Sequence, residues 1–423
     1  MAACVVLASA LVACQPPAPE VDQDASLAIR AGSAAVLGKA GARVGAPASR
    51  PAGSASAPPA GKVMNTGGPL PASVEPDVPF DISEMARFDR PWAMCFLPDG
   101  RLLVTEKGGQ LRLFDPATGQ TGTITGLPPV DVVGQGGLGD VILFPRFDSS
   151  RRILISYVEP GGGDLRGAAV ASAQLELDAG GGGHLADLRV LWRQVPKVTG
   201  SGHYSHRLAF GPEGKLWITS GDRQKFDPAQ DMQSNLGKLI RLNPDGSAPT
   251  DNPFHAQGGV AAQVWSLGHR NMLGIAFDVG GRLWTHEMGP AGGDELNRAE
   301  RGANHGWPLV SEGDHYDGTP IPDHDTRPDL NAPEVAWTPV IAPSGFIVYT
   351  ADAFPYFYGD GFIGGLASQA LIRIEFEGTK AHELKRYPMG SRIREVEQGP
   401  DGAIWLLEDG GNARLLKLTP LPR

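Results

Sequence analysis

A short apolar run, a tight glycine turn and a second apolar run recur along this chain, and that recurrence limits what it can fold into. Phe96-Leu97-Pro98-Asp99-Gly100-Arg101-Leu102-Leu103-Val104 is the first clear copy. Phe210 to Ile218 around Pro212-Glu213-Gly214, Phe277 to Trp284 around Gly280-Gly281, and Gly399 to Trp405 around Pro400-Asp401-Gly402 repeat it. Weaker copies run from Phe144 to Tyr157 and from Ala342 through Ser344-Gly345 to Tyr349. Each carries the signature of a β-hairpin. The turns fall near positions 100, 150, 214, 281, 345 and 402, a spacing of about 60 residues that marks a repeat architecture. Units of that size suit four-stranded blades, so the sequence predicts an all-β fold, a six-bladed β-propeller over 80–423. A β-sandwich would need shorter and less regular spacing, and no amphipathic stretch is long enough to compete as helix. The 57 glycines and 37 prolines fit many strands joined by tight turns.

Ahead of the repeats the composition changes. Ala2 to Val12 is apolar but too short to span a bilayer as a helix, and it runs into Leu11-Val12-Ala13-Cys14-Gln15. That box resembles a bacterial lipoprotein cleavage site. It implies a signal peptide over 1–14, an exported and periplasmic protein, and a lipid anchor at Cys14. Residues 15–79 are rich in Ala, Pro, Gly and Ser with almost no aromatics, and are expected to form a disordered tether. Cys95 is then the one cysteine of the body, expected as a buried thiol without a disulfide partner. A formal charge of −10 gives no footprint for nucleic acid.

Candidate chemistry lies at the expected ends of strands. Gly134-Gln135-Gly136-Gly137-Leu138-Gly139 matches the dinucleotide fingerprint in form, but the strand-like Asp140 to Phe144 follows where a helix is required. The run is better read as a glycine loop presenting Gln135. His203 and His206, three apart on an extended segment, do not converge on zinc. His203 follows Gly200-Ser201-Gly202 at a loop-to-strand junction, where a neutral imidazole can take a proton from a hydroxyl. Arg270-Asn271 sets a guanidinium beside an amide. The carbonyl oxygens of Gly289-Pro290 could serve a hard cation such as calcium, with Asp294 and Glu295 close by. Arg392 and Arg394, two apart on an expected strand, could clamp carboxylates or be solvated edge charge. Trp337, beside Pro339, could be core or could cap a ring-shaped ligand.

Gln135 to Leu138, His203 to Phe210, Gly268 to Asn271, Glu287 to Asn297, Asn304 to Pro308, Ala342 to Gly345 and Arg392 to Gly402 occur in this order in the glucose/sorbosone dehydrogenases, which this chain resembles over about 85–420. The resemblance implies a PQQ- and calcium-dependent enzyme that oxidises an aldose at C1 and passes electrons to an unknown acceptor. It implies His203 as the base, Arg270 polarising the quinone carbonyl, and Gln135 touching cofactor or sugar. Asn271 would hydrogen-bond the cofactor, Arg392 and Arg394 would neutralise its carboxylates, and Trp337 would face substrate. Backbone oxygens of Gly289 and Pro290 would bind calcium, with Asp294 supporting that loop. Several positions depart from the family pattern, Met272 beside the arginine, Met288 before the Gly-Pro and His206 among them. Gly202 stands where an acidic residue precedes the base, and Ala367 where a lysine contacts the cofactor. The rival readings are a calcium-dependent lactonase-type hydrolase and a propeller that binds without catalysis.

Overall fold

The computed structural model describes residues 77–422. The expected signal peptide, Cys14 and nearly all of the expected tether lie outside them. Within them the chain is all-β and forms a β-propeller of four-stranded antiparallel units. In chain order the innermost strands are Pro91–Phe96, Leu138–Leu143, Ser205–Phe210, Met272–Phe277, Pro343–Val348 and Ile393–Gln398. Each lies beside the next, and the last returns to the first, so they ring a central axis. The first two units join into one eight-stranded sheet, because Ile124 and Thr125 pair in parallel with Gly183 and His184. The last unit is completed by the first strand: Phe80–Phe88 pairs with Ala413–Pro420.

Burial explains why hydropathy marks the inner strands so well. Leu102–Glu106, Leu216–Ser220, Leu283–Glu287, Gly361–Gly365 and Ile404–Glu408, each second in its unit, are buried at every residue. Units on both sides cover them, so they read as continuous rather than alternating runs. The outer strand Lys380–Pro388 mixes exposed and buried residues instead.

The hairpins expected around Pro98-Asp99-Gly100, Pro212-Glu213-Gly214, Gly280-Gly281 and Pro400-Asp401-Gly402 all form. The one beginning at Phe144 forms with a short helical turn, Phe147–Ser150, at its tip. The turn expected at Ser344-Gly345 is a correction. Those residues lie inside the strand Pro343–Val348, and the real connection runs from Tyr349 to Asp360 over a 3₁₀ turn, Pro355–Phe357. Gly345 is there because neighbouring inner strands almost touch: a Cβ would sit 2.4 Å from Glu395 and 2.5 Å from the Val396 nitrogen. Cys95 lies on an inner strand, only half buried, and packs against the core of the first two units. Burial pushes its thiol pKa up, which suits an inert side chain.

One irregularity repeats. Every inner strand breaks register near its start, between Pro91 and Ala93, Leu138 and Val141, Ser205 and Leu208, Met272 and Gly274, Pro343 and Phe346, and Ile393 and Glu395. A bulge turns the strand and re-aims side chains. Repeated around the ring, it gathers the residues at these starts on one face of the molecule.

Candidate active site

On that face lies a cavity. It is lined by Gln135, Asn271, Lys107 and Arg394, with Trp92 and Met288 as apolar wall. His203 and Arg270 are not in the lining itself. They sit buried one residue along the chain from the lining residues Tyr204 and Asn271.

His203 lies just before the strand Ser205–Phe210, whose register breaks between Ser205 and Leu208. His203, Ser205 and His206 all have φ between 50° and 59°, a left-handed backbone uncommon outside glycine. The frame that holds it there is polar. The His203 backbone N–H donates to Gln135 Oε1 at 2.7 Å, and the Gln135 N–H donates to the Ser201 carbonyl at 2.7 Å. His203 Nδ1 lies 2.7 Å from Asp222 Oδ1, and Asp222 Oδ2 accepts the Trp307 indole N–H at 2.8 Å. Asp222 follows the end of the strand Leu216–Ser220 and is fully buried. Burial alone would raise its pKa. The His203 ring, Arg270 and the Gln224 N–H outweigh that and hold it below the ordinary carboxylate value. An ionised carboxylate only accepts, so Nδ1 carries a proton, and in the neutral imidazole Nε2 is the atom with the lone pair. That is the state a general base requires.

Asp222 also ties the base to Arg270, because its N–H donates to the Arg270 carbonyl at 2.8 Å. The Arg270 backbone N–H donates to Glu287 Oε2, and its guanidinium donates to the Met288 carbonyl at 2.9 Å and to the Tyr316 hydroxyl at 3.2 Å. Asn271 Oδ1 accepts from the Ser205 hydroxyl at 3.2 Å. The sequence pair Arg270-Asn271 thus reaches the same neighbourhood as His203 from the adjacent unit.

The Gly289-Pro290 loop is held by Asp294. Its Oδ1 accepts the Gly289 N–H at 2.9 Å, while Oδ2 accepts those of Ile341 and Ala342 at 2.8 and 2.7 Å. Burial pushes this carboxyl up to about 7 against those three donors. Among the described residues, neither the Gly289 nor the Pro290 carbonyl oxygen receives a backbone hydrogen bond. Two such oxygens on a fixed loop are a donor set that suits calcium.

The two arginines differ from the simple clamp. Arg392 precedes the strand Ile393–Gln398, and both guanidinium groups grip Asp409: Arg392 Nε at 2.7 Å, Arg394 Nε and Nη2 at 2.9 and 2.8 Å. Burial would raise Asp409, but Arg394 and Arg392 bring it down to about 2. One carboxylate shared by two arginines leaves a net positive charge, and Arg394 carries it to the cavity wall. Trp337 requires a correction. It ends the outermost strand of its unit, is buried among Trp284, Ile341 and Ile363, and donates its indole N–H to Glu383 at 2.7 Å. Trp337 therefore faces core, not ligand.

Sequence reasoning missed several members of this site. Asp222 lies just past the end of the second strand Leu216–Ser220, two residues beyond the position that supplies Glu106, Glu287 and Glu408 in other units. Lys107, the lysine on the cavity wall, comes from the turn after Leu102–Glu106. Ala367, where a lysine was expected, packs against a cluster containing Trp92 and Leu366. His206 stacks on Trp92 with ring centres 5.1 Å apart, lies 2.8 Å from the Ser156 hydroxyl through Nδ1, and is pushed down to about 3 by burial. It is a neutral wall of the cavity, neither zinc ligand nor second base.

Comparison with known proteins bears on the family and the fold. The model of the Glucose / Sorbosone dehydrogenase family matches residues 88–417. An aldose sugar dehydrogenase of Escherichia coli is 38% identical over 356 residues, 83% of this chain and 94% of the relative. A crystal structure of the soluble aldose sugar dehydrogenase from Escherichia coli in its apo form superposes with a TM-score of 0.76 at 37% identity, over 81% of this chain and 100% of that one. A PQQ-bound aldose sugar dehydrogenase from Streptomyces coelicolor superposes at 0.66 with 26% identity, covering 82% and 99%.

Proposed function

The chain belongs to the glucose/sorbosone dehydrogenase family, and from that premise we propose that it oxidises an aldose at C1 to the lactone with PQQ and calcium as cofactors. We read its four-stranded units as six blades, with the cofactor at their common axis. The observation that carries the reading is the His203–Asp222 pair, buried and oriented beside a cavity that offers both anion-binding and hydrogen-bonding groups.

The residues fit PQQ, a planar tri-anion. Arg394 and Lys107 bring positive charge to the cavity, Gln135 and Asn271 bring amides, and Trp92 with Met288 gives an apolar wall. Calcium would be held by the Gly289 and Pro290 carbonyls. Bound together, PQQ and calcium would supply an electrophilic acceptor for a hydride, which carries both electrons of the oxidation.

The chain's own residues manage the proton. His203 Nε2 takes it from the C1 hydroxyl as the C–H bond weakens. The ring then becomes an imidazolium, and the Asp222 carboxylate 2.7 Å from Nδ1 stabilises that charge. Trp307 holds the second Asp222 oxygen and fixes the carboxylate plane. Arg270, anchored through Glu287, Met288 and Tyr316, presents a guanidinium where negative charge gathers. The electrons then leave to an acceptor outside this chain. On the same reading, the protein is exported and anchored by lipid at Cys14.

Reconstitution tests the proposal. The metal-stripped protein is given PQQ with and without calcium, then a panel of aldoses and a redox dye. Dye reduction should require sugar, PQQ and calcium together, and His203→Ala should abolish it while PQQ still binds. Undiminished activity in His203→Ala would remove the base assignment, and failure of PQQ to bind would remove the cofactor.

A further inference from the structure

The last glycine of the run Gly134 to Gly139 makes room for a side chain from the neighbouring unit. A Cβ on Gly139 would lie 2.0 Å from Cε1 and 2.3 Å from Nδ1 of His206, so that edge of the imidazole rests directly on the strand Leu138–Leu143. His206 is held at φ 59°, is 3% exposed, and lies flat against Trp92 with the rings 15° from parallel. Both rings line the cavity. A left-handed histidine is uncommon, and strained backbone of this kind persists where the surroundings impose it.

Ser156 decides the state of that ring. Its hydroxyl oxygen, fully buried, accepts the Asp140 backbone N–H at 2.7 Å and lies 2.8 Å from His206 Nδ1. Among the described residues that hydroxyl has no other acceptor, and a buried hydroxyl proton needs one. The Ser156 proton therefore points at Nδ1. Burial, with the Arg207 charge adding to it, pushes the His206 pKa down to about 3, so the ring is neutral at any pH near neutrality. A neutral imidazole that accepts at Nδ1 carries its own proton on Nε2. Among the described residues nothing accepts that N–H. His203 and His206 are thus set in opposite states three residues apart. Asp222 puts a proton on Nδ1 of the first, and Ser156 leaves the proton on Nε2 of the second.

We propose that His206 is a positioning residue for the cofactor, its Nε2–H donating to an oxygen of bound PQQ, with Ser156 fixing the tautomer that makes this possible. The inference rests on the cofactor reading proposed above and adds a residue to it. The oxygens of a planar tri-anion are acceptors, and an N–H donor that meets a charged oxygen makes one of the stronger hydrogen bonds. A donor left without a partner in a wall is unfavourable, and an oxygen arriving in the cavity removes that cost. Stacking on Trp92 and the close seat on Gly139 hold the ring in one orientation, so the N–H is in place before the cofactor arrives.

The test titrates the full chain with PQQ in the presence of calcium and without sugar, as wild type, His206→Asn and His206→Gln. Asparagine keeps a polar atom where Nδ1 meets Ser156, tolerates the left-handed backbone and ends short of Nε2, whereas glutamine reaches that position with an N–H. Both lose the stacked ring, so the difference between them reports the donor. The Kd for PQQ should rise about ten- to hundredfold in His206→Asn, with most of the loss recovered in His206→Gln. Nitrogen-15 NMR gives a reading that a purely structural role would not move. In the cofactor-free wild type His206 should keep its proton on Nε2 from about pH 5 to 8, and that N–H resonance should shift when PQQ binds. Equal affinities in the two variants, an Nε2–H resonance indifferent to PQQ, or a proton found on Nδ1 would each overturn the donor and leave the cofactor reading standing. A wild type that does not bind PQQ removes the cofactor reading and the donor with it.

Discussion

Replacing Asp222 with asparagine should cost this protein its base while leaving its shape. Oδ1 serves the His203 ring at 2.7 Å and the Gln224 N–H at 2.8 Å, and Oδ2 serves the Trp307 indole at 2.8 Å. Asparagine has one acceptor oxygen. If that oxygen turns to Trp307, its NH₂ faces His203 and the imidazole must place its proton on Nε2, where the substrate's proton should go. If the oxygen turns to His203, the NH₂ meets the indole N–H head on. Either way the charge facing the imidazolium is lost. At an effective dielectric of about 20, a pair 2.7 Å apart is worth roughly 6 kcal/mol, which corresponds to about 10⁴ in rate. A buried unsatisfied donor adds about 1–3 kcal/mol of destabilisation. Dye-coupled turnover of the reconstituted protein would therefore fall about 10³- to 10⁴-fold, with a modest loss in melting temperature. Nitrogen-15 NMR of His203 would report the changed tautomer. A loss of less than tenfold in kcat, with His203 still protonated on Nδ1, would refute the assignment of Asp222 as the residue that orients the base.

Two further outcomes follow from groups beneath the site. Arg223→Met would take its donors from the carbonyls of Gly200, Gly202 and Arg166, of which the Gly202 carbonyl belongs to a buried residue, and should lower stability by about 1–3 kcal/mol, read by thermal melting, with turnover reduced because Gly200 to Gly202 lead into His203; an unchanged melting curve would show that the loop holds without it. Glu395 is pushed up to about 7 by burial, with Asp140 adding to the effect and Arg207 opposing it; Glu397 lines the same chamber. Because its pKa in the folded state exceeds the ordinary 4.5, the folded form keeps a proton that the unfolded form has released, so stability falls as pH rises from about 4.5 to about 7. Glu395→Gln should flatten that part of the stability profile, and an equally steep profile in the variant would place the titration elsewhere.

The sequence made the fold legible because both faces of the inner strands are covered. Leu102–Val104 and Ile404–Leu407, within second strands that are buried throughout, read as unbroken apolar runs next to glycine turns, and those turns occur where expected. Ser344-Gly345 misled for a physical reason: glycine marks close backbone approach as well as turns, and here the approach of Glu395 and Val396 demanded it. His203, Arg270, Asn271 and Gln135 were legible because they sit immediately before inner strands. Asp222 and Lys107 arrive from the far ends of second strands, which no spacing rule connects to the starts of the first. Trp337 shows the reverse failure, since an indole beside a proline looks the same in sequence whether it faces core or ligand.

The first strand gives the molecule a front and a back. Phe88 pairs with Ala413, near Asp409 and Arg392 on the side of the cavity, whereas Phe80 pairs with Pro420 at the other end of the same strand. Nine residues of strand separate those ends by roughly 30 Å. The chain therefore enters this strand at the face turned away from the cavity. With a lipid at Cys14, as proposed, the attachment would reach the protein on the face opposite the mouth of the site, leaving that mouth clear of the chain that leads to the anchor.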